Sequence, residues 1–130
     1  MNFREFGIIL FVEHYEDCIN FYKNGLRLEV RNVKDTLTTF ELPQGYLMVE
    51  QEGVGFMYEK NRAQNPVVLR FDVHHLEEQV KVLKQRGIDF SQERLEFDWG
   101  TIAVLQDPDG NRIELGEINE TSGSYAKDER

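Results

Sequence analysis

The sequence of 130 residues predicts an α+β protein made of two successive βαβββ modules. Three observations carry that expectation. An apolar strand ending in valine occurs twice, Phe6–Val12 and Val67–Val73, and each time runs into a segment of helical period. The helix exits match as well: FYKNGL in the first half answers VLKQRGI in the second after one inserted residue, with a glycine where each helix stops. Finally, Trp99–Leu115 reads WGTIAVLQDPDGNRIEL, two strand-like runs around a polar reversal. Pro108 fixes φ, Asp109 and Asn111 hydrogen-bond to local backbone, and Gly110 tolerates positive φ, so the chain turns back as a hairpin.

Taken in order, Phe6–Val12 is a mostly buried first strand. Glu13–Asn24 changes period, with Cys18, Ile19 and Tyr22 on one helical face and Asn24-Gly25 as the stop. Leu28–Val33 and Leu37–Leu42 are two strands around Lys34-Asp35, and Tyr46–Glu50 follows the Pro43-Gln44-Gly45 turn. Phe56–Tyr58 extends a strand or packs at the module junction, and Asn61–Pro66 connects. After Val67–Val73, Leu76–Arg86 carries Leu76, Val80 and Leu83 at helical spacing, with Gly87 as its stop. Ile88–Phe90 begins another strand, Arg94–Phe97 contributes the next, and the hairpin closes the pattern. The expected division is residues 1–60, residues 61–118 and a polar tail over 119–130 that need not order. With only two copies, each module leaves one sheet face uncovered by its helix, and that face must be covered or form a cleft.

Composition narrows the function classes. Hydrophobic content of 40% is globular, and a net charge of −9 with no basic block argues against a direct nucleic-acid partner. The single Cys18 rules out an internal disulfide and fits a reducing compartment. No apolar run reaches the length of a membrane span, and the opening MNFREFGIILFVE lacks the layout of a secretory signal. A cytoplasmic protein with no membrane partner is the expectation.

The Trp99-Gly100 pair, the DPDGNRIEL hairpin and the opening valine followed by FY and a G-L turn resemble the glyoxalase/bleomycin-resistance/ring-cleaving dioxygenase superfamily, the vicinal oxygen chelate fold. The resemblance spans roughly residues 5 to 118. It implies strongly curved sheets, with two modules forming an incompletely closed barrel around a ligand cavity, and commonly a homodimer. It does not select a reaction, because the superfamily holds both metalloenzymes and metal-free drug-binding proteins.

The resemblance also implies four metal-ligand positions. One lies early in the first strand of each module, at Gly7 and Val68, and one in the last strand of each, near Glu50 and at Glu114. Neither Gly7 nor Val68 has a donor side chain, and their neighbours Phe6, Ile8, Val67 and Leu69 have none either. Two carboxylates alone make a poor transition-metal site. No metal and no cofactor is therefore expected. Strand alternation then places Ile9, Phe11, Met48, Glu50, Arg70 and Glu114 toward a pocket, with Trp99 near its rim, and makes Arg70 the natural partner of a buried glutamate. A purely structural Arg70–Glu114 pair in a vestigial site carries equal weight.

Three functions compete. The leading one is a metal-independent small-molecule-binding protein of bleomycin-resistance-like type, its ligand unidentified. The second is a divergent glyoxalase-like lyase or isomerase, or a dioxygenase, with Glu114 or Glu50 as general base. The third is a structural or partner-binding protein with a collapsed pocket. His14 and His75 each follow a first-strand valine by two residues and read as local capping or surface positions.

Overall fold

The computed structural model describes residues 1–119; the polar tail expected over 119–130 lies, beyond Asn119, outside the described residues. Two compact units emerge. One comprises Met1–Glu59 together with Asp107–Gly110, and the other Lys60–Gln106 with the chain from Asn111 onward. Each holds one βαβββ module with its own mixed four-stranded sheet, and neither sheet closes into a barrel.

In the first module the elements are β1 (Phe6–Val12), α1 (Tyr15–Asn20, continued by a π turn over Phe21–Gly25), β2 (Val30–Lys34), β3 (Leu37–Leu42) and β4 (Gly45–Gln51). The sheet order is β1-β4-β3-β2, with β1 parallel to β4 and the other pairs antiparallel. The helix buries Tyr15, Cys18 and Tyr22 against the sheet. Tyr22 meets the Phe40 ring at 6.1 Å, and the Tyr15 hydroxyl shares a 2.6 Å hydrogen bond with Thr38. Burial pushes the Cys18 thiol up, which leaves it an unreactive core residue. β2 starts two residues later than the sequence suggests. Arg27 takes a left-handed φ of 58°, and the Leu28 amide donates to the Tyr22 carbonyl, which keeps Leu28 on the helix exit.

The second module has β5 (Leu69–Asp72), α2 (Leu76–Gln85), β6 (Phe90–Phe97), β7 (Gly100–Gln106) and β8 (Arg112–Ile118), in the order β5-β8-β7-β6. Its helix side is a core that includes Leu69, Leu76, Val80, Leu83, Ile113 and Leu115. Three local differences from expectation have local causes. Val67 stays off the ladder because its amide donates to the Asn65 side chain. Ile88 does not begin a strand, since its amide closes the helix end on Leu83 beyond Gly87, whose φ is +87°. Ile88–Phe90 and Arg94–Phe97 are not two strands; Phe90–Phe97 is one strand, whose register shifts between Phe90 and Gln92 and again between Gln92 and Leu95 hide the alternation. Phe56–Tyr58 forms no strand, although the Phe56 amide bonds the Asp109 carbonyl.

The DPDG turn is part of the first unit, with Asp107, Asp109 and Gly110 buried and Pro108 exposed. Gly110, at φ +86°, bonds back to the Asp107 carbonyl, as a tight turn requires. The Asp107 carboxylate accepts from the Tyr22 hydroxyl at 2.7 Å and from the Asp109 amide at 2.9 Å. Burial, and after it the Asp107 charge and hydrogen bond, push the Tyr22 hydroxyl well above its ordinary value. The Asp109 carboxylate, 0% exposed, accepts from the amides of Glu13 and His14 at 2.6 and 3.0 Å and lies 2.8 Å from the His14 ring. It satisfies the amides that enter α1, a task His14 does not perform with its own side chain.

Candidate functional site

The seven expected site residues fall into two groups, one in each unit. In the first module Ile9, Phe11, Met48 and Glu50 share the sheet face away from the helix. Ile9 pairs with Met48 and Phe11 with Glu50 across β1 and β4. The other parity of the same strands, Leu47 and Val49, is buried under the helix. Ile9 and Phe11 remain 51% and 48% exposed, and Met48 and Glu50 are half-buried.

One end of this face is filled. Tyr46 pairs with Gly7, and its ring lies where any side chain at position 7 would go: a Cβ there would stand 2.0 Å from the Tyr46 Cζ. Above the ring, 5.2 Å from its centroid, sits the Arg31 guanidinium. Glu5 grips Arg31 with both carboxylate oxygens, at 3.1 and 2.7 Å, and Glu41 bonds its Nε. These partners hold the guanidinium well above its ordinary range. We expect Gly7→Ala to cost about 1–3 kcal/mol through overpacking. In a Tyr46→Ala background most of that cost should vanish, a coupling that a double-mutant cycle in urea measures directly.

In the second module Arg70, Trp99 and Glu114 meet. Arg70 and Glu114 are register partners on β5 and β8. Glu114 is 1% exposed, and both of its oxygens are occupied. Arg70 donates from Nε and Nη2 to Oε1 at 3.1 and 2.6 Å, and Arg112 donates from Nε to Oε2 at 2.9 Å. Three guanidinium hydrogen bonds to one acceptor-only group describe an ionised carboxylate. Arg70 also lies 3.7 Å from Asp72 and 5.2 Å from the centre of the Trp99 ring, which in turn stacks on Phe97 at 5.3 Å. Gly116 leaves room for this: a Cβ there would stand 2.7 Å from Asp72 and 3.3 Å from Arg70. The Trp99 side chain, expected near the rim, is buried in a cluster with Ile102 and Val104, against which Leu95 packs.

Alternation and the DPDGN register place Arg70 beside Glu114. Tyr46 over Gly7, Gly116 under Arg70 and the second arginine on Glu114 come from the structure. The one available signal was the placement of Arg112 two residues before Glu114, hence on its face. Register also changes one equivalence. With Val12 matched to Val73, Ile9 matches Arg70, so the counterpart of Glu114 is Met48 and not Glu50. Glu50 lies one pleat further along, between Phe11 on β1 and Leu37 on β3. A separate groove of about 390 Å³ between α2 and β6, lined by Leu76, Glu77, Val80, Lys81, Glu93 and Arg94, contains none of these residues.

The donor set does not fit the metal that the fold implies. Position 7 is a glycine covered by a ring, Val68 is apolar and precedes β5, Met48 stands opposite Ile9, and Glu114 is saturated by arginine. Among the described residues, no group of three or more His, Cys, Asp or Glu side chains is arranged to hold a metal ion.

Comparison with known proteins agrees with the architecture. A family model described as Glyoxalase/Bleomycin resistance protein/Dioxygenase superfamily matches residues 6–115. Among solved structures, the chain is similar to a glyoxalase/bleomycin resistance protein/dioxygenase from Nocardioides, with 14% identity, a TM-score of 0.73, and 94% of this chain and 87% of that one covered. A virulence protein from Salmonella typhimurium aligns at 20% identity and a TM-score of 0.70, over 92% and 99% of the two chains. A lactoylglutathione lyase from Agrobacterium tumefaciens aligns at 17% identity and a TM-score of 0.67, over 85% and 90%. At these identities the likeness is one of fold. No curated protein sequence matches the chain.

Proposed function

The chain belongs to the glyoxalase/bleomycin resistance protein/dioxygenase superfamily, and from that premise we propose that it binds a small molecule without a resident metal ion. The observation that carries this reading is the state of Glu114. Its position is the one at which metal-dependent relatives would place a ligand, yet both oxygens accept from guanidinium groups. A cation entering there would have to displace two arginines and then sit beside them. The superfamily fold supplies the small-molecule half of the proposal, whose candidate ligand-binding residues are Ile9, Phe11, Met48 and Glu50 in the first unit and Arg70, Trp99 and Glu114 in the second.

Metal analysis tests it. Protein stripped of metal and then dialysed separately against Zn²⁺, Ni²⁺, Mn²⁺ and Fe²⁺ should retain well under one equivalent. One tightly held equivalent that disappears in Glu114→Gln would overturn the proposal. The enzyme alternative keeps one specific observation in its favour: Glu50, unlike Glu114, is not consumed by an arginine. Loss of a measured turnover in a folded Glu50→Gln variant would support that alternative.

Two further expectations belong to this reading. A cytoplasmic location draws on the single buried cysteine, and among the described residues no helix is long and apolar enough to cross a membrane. A homodimer draws on Phe56, Met57 and Tyr58, three consecutive large apolar residues that stand exposed. Sedimentation would read the dimer directly. The charge balance argues against direct nucleic-acid binding.

A further inference from the structure

We infer that the open face of the first module takes an organic cation with a flat apolar body, and that Glu50 is its anchor; this rests on the small-molecule-binding reading above. The argument begins with a contrast between two carboxylates. Glu114 is buried and fully neutralised. Glu50 is half-buried, flanked in register by Phe11 on one side and Leu37 on the other, and among the described residues its side chain has no hydrogen bond or ion pair. A carboxylate partly withdrawn from water between apolar neighbours is favoured by any cation that joins it.

The surface around it fits such a ligand. Ile9 and Met48 pair on the same face one pleat away, which gives an apolar floor beside the charge. Phe11 is half-exposed next to Glu50, and an aromatic face attracts a cation independently of the carboxylate. At the far end the face is closed by Tyr46 under Arg31, and that guanidinium is held by Glu5 and Glu41. The cationic end of the face is therefore occupied by its own partners, while the anionic end is open. The polarity of the face selects a ligand whose positive group points to Glu50 and whose body lies over Ile9 and Met48. The protein's net charge of −9 adds a general attraction that must be separated from this local one.

Three probes sharing one aromatic body separate them: anthracenylmethyl-trimethylammonium, neutral anthracenemethanol and anthracenecarboxylate, titrated by fluorescence against the full chain. The ammonium probe should bind most tightly and the carboxylate least. Glu50→Gln, an isosteric change, should weaken the ammonium probe by about tenfold or more, the loss of one charge-assisted contact, and leave the alcohol unchanged. Glu16→Gln removes the same unit of charge from an exposed site on α1 and should change neither. Phe11→Leu keeps the surface apolar and should weaken the ammonium probe selectively. Equal affinity for all three probes, equal losses in the two glutamine variants, or no binding by any probe would overturn the inference. Binding of the alcohol or carboxylate probe without charge preference would leave the small-molecule reading standing, and the metal analysis judges metal independence separately.

Discussion

Glu114→Ala is expected to lower the stability of the protein by about 3–5 kcal/mol, the range for removing one partner from a buried ion pair. The carboxylate is the common acceptor for Arg70 and Arg112, so its loss removes the charge the two guanidinium groups share, and Arg70, largely buried against Trp99, keeps only the more distant Asp72 carboxylate at 3.7 Å among the ion pairs described above. Urea denaturation should report a lower midpoint with an unchanged slope, which distinguishes lost stability from a changed unfolded state. The complementary experiment removes all three charges together. Arg70→Met, Arg112→Leu and Glu114→Leu combined should recover most of the loss, because an apolar replacement avoids the cost of desolvating ions. A triple variant as unstable as the single one would mean that the site depends on its charges for more than mutual neutralisation.

Asp109→Ala should cost about 3 kcal/mol by a different route. Two backbone amides, of Glu13 and His14, lose their buried charged acceptor, and a hydrogen bond to a charged group contributes about 1.5–3 kcal/mol. Space at the site is tight: a Cβ on Gly55 would stand 2.6 Å from the Asp109 carboxylate. The same substitution changes the pH dependence. The hydrogen bond that the His14 ring donates to the Asp109 carboxylate, aided by that carboxylate's charge, raises the imidazole above its ordinary value of 6.5. A raised histidine contributes stability that is fully present below the unfolded value and is lost as the pH rises through the folded one. Stability of the native protein should therefore fall as pH is taken upward from 6, and that component should be absent in Asp109→Asn. Denaturation midpoints across pH 5 to 9 check both statements.

These two residues mark the limits of what the sequence conveyed. Glu114 was legible because two short-range rules converge on it: the DPDGN turn sets its register, and alternation sets its face. Arg70 follows by the same alternation. The βαβββ order was legible from the doubled strand-to-helix change of period, whereas strand ends were not, because side-chain bonds at Asn65 and a left-handed residue at Arg27 decide them. Asp109 read only as a turn former. Its long-range task uses the same acceptor chemistry as a local turn bond, so nothing in the residue type separates the two. Tyr46 over Gly7 was hidden for another reason. A glycine announces a missing side chain, but the neighbour that fills the space depends on β1–β4 register, which is a non-local quantity. The equivalence of Glu50 with Glu114 failed on that same register.

The position of Asp109 in the chain has a kinetic consequence. The amides that open α1 belong to residues 13 and 14, yet their acceptor is separated from them by 96 and 95 positions. During synthesis the amino-terminal half emerges with this bond unmade, and its helix entry stays incomplete until the last hairpin has left the ribosome. The opening segment of the chain is thus among the last to be completed, and closure of a loop that long is a slow step. A fragment ending after β4 would carry all five elements of the first module and still lack the residue that completes it.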